Sequence, residues 1–329
     1  VEWCVDLGGR RIIKKKSGCG GSWLVTFPDL WPLPIFPEGS LASSIITTVW
    51  VGVMVVCFFN LRFGWVLSGL VVPGYMVPLW MIKPWAALVT TLEGVLTYAV
   101  VWVLSERLSR LGLWSSFFGR DRFFAILLVA VGVRLGVDSL LLPELAQWLS
   151  IRGYGALDYQ NSLQSVGLVV AALIANQLWK PGLVRGSVPL VVTTVLTWVL
   201  IELLILTTNF SIGSLHYLYE DFAGSIEASP KFYILLLATA LAASRLNLNY
   251  SWDFNGIMVP ALLTLQWYQP EKIVSTLVEA WVILVLARLV LQTRWLARTN
   301  LEGARKLLLF FNIGFAYKFV LGFTLPLFG

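Results

Sequence analysis

The stretch GLVVPGYMVPLW at residues 69–80 places a proline and a glycine inside an apolar run that reads as a membrane helix. A related stretch, GIMVPALLTLQW, follows at 256–267. When the two stretches are aligned, four positions match: Gly69/Gly256, Val72/Val259, Pro73/Pro260 and Trp80/Trp267. After a one-residue shift, an acidic residue that follows each stretch also matches, Glu93/Glu279. Because glycine, proline, tryptophan and acid stay in register, the sequence predicts an internal duplication built around a repeated proline.

The repeated proline limits where its helix can lie. A proline inside a helix lacks the N–H that would bond the carbonyl one turn earlier, so that carbonyl is left exposed. Lipid cannot satisfy an exposed carbonyl. We therefore expect the motif helices around Pro73 and Pro260 to lie in the protein interior, facing each other or a small cavity. Proline is the shared element, because Gly74 of the first stretch becomes Ala261 in the second.

A third, weaker copy of the motif is VGLVVAALIANQLWKPGL at 166–183. Gly167 stands at the motif glycine, Ala171 replaces the proline, and Asn176 makes the helix end polar. The copies divide the chain into units of three spans, so each unit enters the membrane from the opposite side to its predecessor. Such inverted repeats occur in many transporter folds. The span at 307–328 begins a further unit, which we expect a longer chain or another subunit to complete.

The composition excludes a soluble protein. Of 329 residues, 58% are hydrophobic and only 13% are charged, and the mean hydropathy is +0.79. Such values are typical of a polytopic membrane protein. The net charge of +6 is ordinary for basic cytoplasmic loops and indicates no nucleic-acid partner. The three cysteines make no metal or disulfide pattern, and no nucleotide, metal or other cofactor motif is present.

Ten apolar segments follow residue 41, each about long enough to cross a hydrocarbon core of roughly 30 Å. They lie at 44–60, 64–82, 84–105, 123–142, 164–179, 188–207, 232–248, 250–267, 271–292 and 307–328. The predicted fold class is an all-α polytopic membrane protein with about ten transmembrane helices, built from three-helix inverted repeats with proline-broken motif helices. An alternative is that the motif segments re-enter the membrane rather than span it.

Positive charge orients the spans. The linkers at 107–122 and 293–306 are strongly basic, and cytoplasmic loops of membrane proteins carry an excess of lysine and arginine. We expect these linkers to be cytoplasmic and to dock a partner. Their basic residues are Arg107, Arg110, Arg120, Arg122, Arg294, Arg298, Arg305 and Lys306.

Four regions follow from this reading. Residues 1–40 form an exposed basic tail and a segment rich in proline and tryptophan at the membrane interface, with Phe36 at headgroup level. Residues 41–207 form the first membrane repeat pair, 208–231 an extracytoplasmic loop, and 232–329 a second, incomplete membrane repeat.

Ionisable residues within spans need partners, because a charge at mid-span costs on the order of 3 kcal/mol. Glu93 lies about 13 residues before the first basic linker and Arg134 about 12 after it, so both sit roughly 20 Å along one hairpin. Glu279 and Lys318 repeat this geometry around the second linker. We predict two intramembrane pairs, Glu93–Arg134 and Glu279–Lys318. They either fasten helices together or line a polar path that binds carboxylates.

Several stretches resemble the CapC/PgsC family, the integral membrane subunit of poly-γ-glutamate capsule synthases. GLVVPGY at 69–75 resembles its first motif, and FGRDRFFAILLVAVGVRLGVD at 118–138 is similar to its basic linker and next span. The segment at 166–183 resembles its second motif, although Ala171 and Ala172 replace Pro-Gly there. The likeness covers one family unit over about 44–207, and a second unit begins after 232.

This resemblance implies a subunit without catalytic chemistry of its own, embedded in the bacterial inner membrane. Its partners would be a cytoplasmic ATP-dependent amide ligase, other membrane subunits, the lipid bilayer and an anionic polymer passing outward. Two other functions remain open from the residues alone: an inverted-repeat secondary transporter or channel, and a structural accessory subunit of a large membrane complex.

Overall fold

The structure is a computed structural model that describes residues 32–37, 41–65, 69–110, 122–152, 164–179, 181–212, 230–250, 258–265, 267, 270–293 and 303–328. The N-terminal tail and most of the loop after residue 212 lie outside these ranges. The α-helices of the described residues are α1 (Ile45–Phe63), α2 (Val72–Ile82), α3 (Pro84–Arg110), α4 (Arg122–Gly136), α5 (Leu142–Ile151), α6 (Gln164–Trp179), α7 (Leu183–Thr207), α8 (Pro230–Tyr250), α9 (Met258–Leu265), α10 (Pro270–Leu291) and α11 (Ala304–Phe328).

Six stretches of helix in the described residues are long and apolar enough to cross a membrane. They are α1, α3, the continuous α4–α5 helix, α7, α10 and α11. A π-turn at Val137–Leu141 joins α4 to α5 and keeps the helix running from Arg122 to Ile151. The protein is therefore an all-helical membrane protein, as its composition predicts. These six correspond to six of the ten predicted segments.

The motif helices are shorter than the six spans. At about 1.5 Å per residue, the 11 residues of α2 reach about 16 Å, roughly half of a hydrocarbon core. Helix α2 packs against α1, α3, α6 and α7, so protein surrounds it. Helix α6 packs against α3, α4 and α7. The short length of α2 is compatible with this interior position, because its ends need not reach the membrane surface.

Pro73 begins its helix instead of breaking it. It is the second residue of α2, where a backbone N–H has no intrahelical acceptor to lose. The carbonyl of Gly69 accepts a bond from Val72 N at 3.3 Å, so it is not left exposed. The expected interior position of Pro73 is confirmed, because the residue is buried. Pro260 likewise lies in the first turn of α9, where it is partly buried.

The proline that does free a carbonyl is Pro78, inside α2. Its missing N–H would have bonded the carbonyl of Gly74, four residues earlier. The hydroxyl of Thr48 on α1 lies 3.0 Å from that carbonyl and 2.8 Å from Ile45 O of its own helix, so the two carbonyls share its hydrogen. Gly74 and Gly52 let the two helices approach closely, because a Cβ at Gly74 would collide with the backbone of α1. Small residues at such crossings are common in membrane helix packing.

Three hydrophobic clusters hold the bundle together. The first joins α3, α4, α6 and α8, and the second joins α1 and α2 to α3 and α6. The third surrounds Phe36, which is buried against Phe210 and Phe319. The side chain of Asn209 fixes this segment, because its amide accepts from Phe36 N at 2.9 Å and donates to Phe36 O at 2.8 Å.

Replacing Thr48 with Val should lower the free energy of unfolding by roughly 1–2 kcal/mol, because the Gly74 carbonyl then loses its donor in a dry interior. The measurement is unfolding of the purified protein in mixed micelles with increasing SDS. Thr48→Ser keeps the hydroxyl and should behave as wild type. Thr194→Val is the matched control, because that hydroxyl bonds only to Leu190 O in its own helix. Equal losses for Thr48→Val and Thr194→Val would contradict the assignment.

Candidate functional site at two intramembrane ion pairs

The first pair lies between α3 and α4. Arg134 Nη1 donates to Glu93 Oε2 at 3.1 Å, and the two side chains are 7% and 1% exposed. Glu93 lies inside α3, and Arg134 lies in the last turn of α4, within the helix that continues to Ile151. The pair is therefore enclosed by protein, and its charges have to be balanced by neighbouring groups.

Three further groups surround Arg134. Asp138, one turn along and inside the π-turn, places Oδ2 3.5 Å from Arg134 Nε. The phenol of Tyr233 on α8 also interacts with Arg134. Gly167 provides the space for the guanidinium, since a Cβ there would lie 2.9 Å from Arg134 Nη1. The third motif glycine thus lies directly against the buried arginine.

The cluster has two carboxyl groups for one guanidinium. Glu93 Oε1 is buried and has no hydrogen-bond partner, and neither has the buried hydroxyl of Thr97 one turn further along α3. Arg134 Nε is within ion-pair distance of Asp138 without the geometry of a hydrogen bond. The arrangement holds Arg134 between two acids, of which Asp138 is the more exposed at 31%.

The second pair joins α10 and α11. Lys318 Nζ lies 3.5 Å from Glu279 Oε2, and the two side chains are 24% and 27% exposed. The residue four positions after Lys318 is Gly322, so this pair has no counterpart of Asp138. The two pairs thus share their helix geometry but differ in burial, and only the first is enclosed.

A cavity of about 1220 Å³ lies beside the second pair. Lys318 and Lys306 line it, and its walls are otherwise mostly aromatic and aliphatic. Val71 and Tyr75 from the first motif region and Val259 from the second also line it. Both motif helices therefore border this cavity, and the interior position expected of both is observed for α2, whereas Val259 of α9 is 56% exposed.

The remaining motif residues have packing positions. Gly69 approaches α6, where a Cβ would lie 3.2 Å from Leu173 Cβ. Gly74 forms the crossing with α1 described above. The side-chain oxygen of Asn176 is buried without a hydrogen-bond partner. Gly256 lies outside the described residues.

The predicted docking residues lie at helix ends where they are described. Arg107 and Arg110 are exposed at the end of α3, and Arg110 forms an i,i+4 pair with Glu106 at 2.8 Å. Arg122 begins α4 and is partly buried. Two further exposed cations, Arg305 and Lys306, stand in the first turn of α11. Arg120, Arg294 and Arg298 lie outside the described residues.

Sequence reasoning missed two members of the first cluster. Asp138 was detectable, because it follows Arg134 by the four residues that place side chains on one helix face. Tyr233 was not, because nothing in the sequence indicates which helix packs against α4. The described residues contain no group of three or more histidine, cysteine or acidic side chains able to hold a metal ion.

Replacing Arg134 with Met should destabilise the protein far more than replacing Lys318 with Met. Arg134→Met strands two carboxylates, one of them fully buried, and breaking a buried pair costs roughly 3–5 kcal/mol. Lys318→Met leaves one carboxylate unpaired, and because that carboxylate is a quarter exposed beside a cavity, the loss should stay below the roughly 3 kcal/mol of a lone charge at mid-span. Unfolding in SDS titrations compares the two variants. Similar losses would show that the difference in burial has no energetic consequence.

Comparison with known proteins gives one family. The chain matches the family model described as capsule biosynthesis CapC over residues 51–187 and 238–329. Neither the curated proteins nor the solved structures returned a match. The matched segments include both ion-paired hairpins and make up more than half of the chain. The resemblance drawn from the motifs is thereby confirmed, and the chain belongs to the CapC family of capsule biosynthesis proteins.

Proposed function

We propose that this chain is the membrane-embedded, non-catalytic subunit of a complex that makes and exports poly-γ-glutamate or a similar poly-amino acid. The observation that carries the proposal is the family match on both halves of the chain, at 51–187 and 238–329. The family match supports a role in capsule biosynthesis. The identity of the polymer and the role in export come from the resemblance of the motifs.

The division of labour follows from the chemistry of the residues. Amide bond formation between amino acids needs an activated carboxyl group, and the sequence carries no nucleotide-binding motif that would supply one. A cytoplasmic ATP-dependent amide ligase would provide this activation. The membrane subunit would anchor the ligase and help to pass its anionic product through the inner membrane.

The exposed basic residues are the proposed contact with the ligase. Arg107 and Arg110 end α3, and Arg305 and Lys306 begin α11. If the linkers that follow and precede these helices are cytoplasmic, as their charge suggests, all four cations face the same compartment. Positive charge there favours an acidic partner and also raises the local concentration of a polyanion.

Co-purification from cells that produce the polymer tests this contact. The tagged chain should retain an ATP-dependent ligase, identified by mass spectrometry, and a variant carrying both Arg305→Glu and Lys306→Glu should retain about tenfold less. Such a loss corresponds to roughly 1.4 kcal/mol of binding free energy. Arg152→Glu is the matched control, since Arg152 is exposed but lies on the side predicted to be extracytoplasmic. Purification without any ligase would contradict the proposal.

A second candidate function is that of a structural subunit in which the ion pairs only fasten helices. The enclosure of Glu93 and Arg134 favours this function for the first pair.

The double variant Glu93→Leu with Arg134→Met separates the two functions. Replacing both partners of a buried pair with apolar residues is often close to neutral for stability. If the first pair is only structural, cells with the assembled double variant should produce polymer at the wild-type level. Polymer loss in a variant that remains assembled would instead assign the pair a part in export. Polymer in the medium and assembled complex in the membrane are the two measurements.

A further inference from the structure

The cavity beside the second ion pair lies on a helix face whose counterpart in the first half of the chain is covered by protein. Aligning Arg134 with Lys318 also aligns Arg122 with Lys306 and Ala130 with Gly314, so α11 is the counterpart of α4. Of the seven residues of α11 that line the cavity, Lys306 and Leu307 correspond to Arg122 and Phe123 of α4, which are only partly buried. The other five and their counterparts on α4 are Phe310/Ile126, Phe311/Leu127, Gly314/Ala130, Phe315/Val131 and Lys318/Arg134. All five counterparts on α4 are buried.

Helix α6 helps to bury those counterparts, together with α3 and α8. Ile126, Leu127, Ala130 and Val131 share a cluster with Leu168, Val169, Ala172 and Ala175 of α6, together with residues of α8. Gly167 of α6 lies against Arg134. The cavity therefore opens on the face of α11 that α6 covers on α4.

Helix α10 repeats the correspondence from the other side. Ala280 and Ile283 line the cavity, and their counterparts on α3 are Gly94 and Thr97. A Cβ at Gly94 would lie 2.8 Å from Ile174 of α6, so the small residue marks a close approach of that helix. In the second half the same place holds alanine and faces the cavity.

The opposite wall is already a helix-binding surface. Val49 lines the cavity from α1 and belongs to the cluster in which α1 and α2 pack against Val170, Ile174 and Leu178 of α6. Tyr75 on α2 lines the cavity and packs against the same cluster. The cavity wall is thus continuous with an interface that holds the apolar helix α6.

The exposed state of the second hairpin also indicates a missing neighbour. Only 6% of the α10 span and none of the α11 span is buried, against 33% and 44% for the spans containing α3 and α4. The Glu279–Lys318 pair is consequently a quarter exposed at mid-span, where a charge needs protein or water around it. A helix about 10 Å across would fill 1220 Å³ with about ten residues.

We propose that this cavity is the seat of a helix with the chemistry of α6: apolar, with a glycine opposite Lys318 and a small side chain facing Gly314. The helix lies against α10 and α11, beside the place where Trp50 of α1 stacks on Phe315 of α11, and it encloses the Glu279–Lys318 pair as α6 encloses Glu93–Arg134. The proposal concerns assembly of the membrane core and holds whether or not the polymer assigned above is correct.

A synthetic peptide that copies residues 164–179 serves as the probe, with Ala172→Cys for crosslinking. Ala172 shares the cluster of Ala130, whose counterpart is Gly314. The full chain, with its native cysteines replaced by serine or alanine, carries Gly314→Cys and is reconstituted in phosphatidylcholine vesicles. Val320→Cys is the matched control on the same helix, because Val320 is 58% exposed and does not line the cavity. Circular dichroism first establishes that the peptide is helical in the vesicles.

The disulfide with the peptide should form about tenfold more at Gly314→Cys than at Val320→Cys, because only the former lies in the helix seat. A peptide that also carries Gly167→Leu should lose most of this preference, since the added side chain meets Lys318. If Gly314→Cys prevents folding, Ile283→Cys on the facing wall replaces it.

Equal crosslinking at both chain positions would overturn the proposal, as would indifference to Gly167→Leu. The proposal would also be contradicted if native mass spectrometry detected a phospholipid on the purified chain that the peptide does not displace. The cavity would then be a lipid-binding site.

Discussion

An arginine held away from water, Arg134, constrains the helices around it. A guanidinium cannot lose its charge, and lipid offers it no partner, so the protein has to supply carboxylates at its depth. Glu93 comes from the neighbouring helix and Asp138 from the next turn of the same one. Gly167 then lets α6 close over the site, because any larger residue would meet the guanidinium. The hairpin, the covering helix and the π-turn all converge on this one cation.

The second half of the chain shows what the hairpin looks like without that enclosure. Glu279 and Lys318 keep the pairing, yet the pair stays a quarter exposed beside a cavity. Lysine suits this partly exposed site better than arginine does, because its ammonium group is at the end of a flexible aliphatic chain and keeps part of its hydration. The absence of an acid at Gly322 fits the same difference, since a partly hydrated ammonium needs fewer carboxylates. The two halves thus adapt one geometry to two degrees of burial.

Sequence predicted the features that depend on length, composition and depth. The limits of the long spans follow from where apolar runs stop, and α3 begins at the predicted residue, Pro84. The depth at which each acid faces a base follows from counting residues on either side of a basic linker, and the geometry of Glu93 and Arg134 agrees with that count. Span limits and depths depend only on distance along the chain, so they can be read from the sequence.

Features that depend on which helices touch were not predictable in this way. The proline rule identified a carbonyl that needs a donor, but it selected Pro73, which starts α2, instead of Pro78, which lies within it. The donor, Thr48, is 26 residues away on another helix, and its role depends on the close crossing at Gly52 and Gly74. The burial of Phe36 was not predictable for the same reason, because it requires α7 and α11 to meet the segment before α1.

The central position of α2 gives the Thr48–Gly74 bond a consequence beyond one carbonyl. Helix α2 is too short to reach both membrane surfaces and is held by neighbours on several sides. Pro78 removes one of its internal bonds, so part of what keeps it helical comes from α1. The first motif helix is therefore stable only as part of the bundle, and its neighbours, not its own sequence, fix its depth. Because Tyr75 of this helix and Val71 just before it also line the cavity, whatever occupies the cavity packs directly against α2.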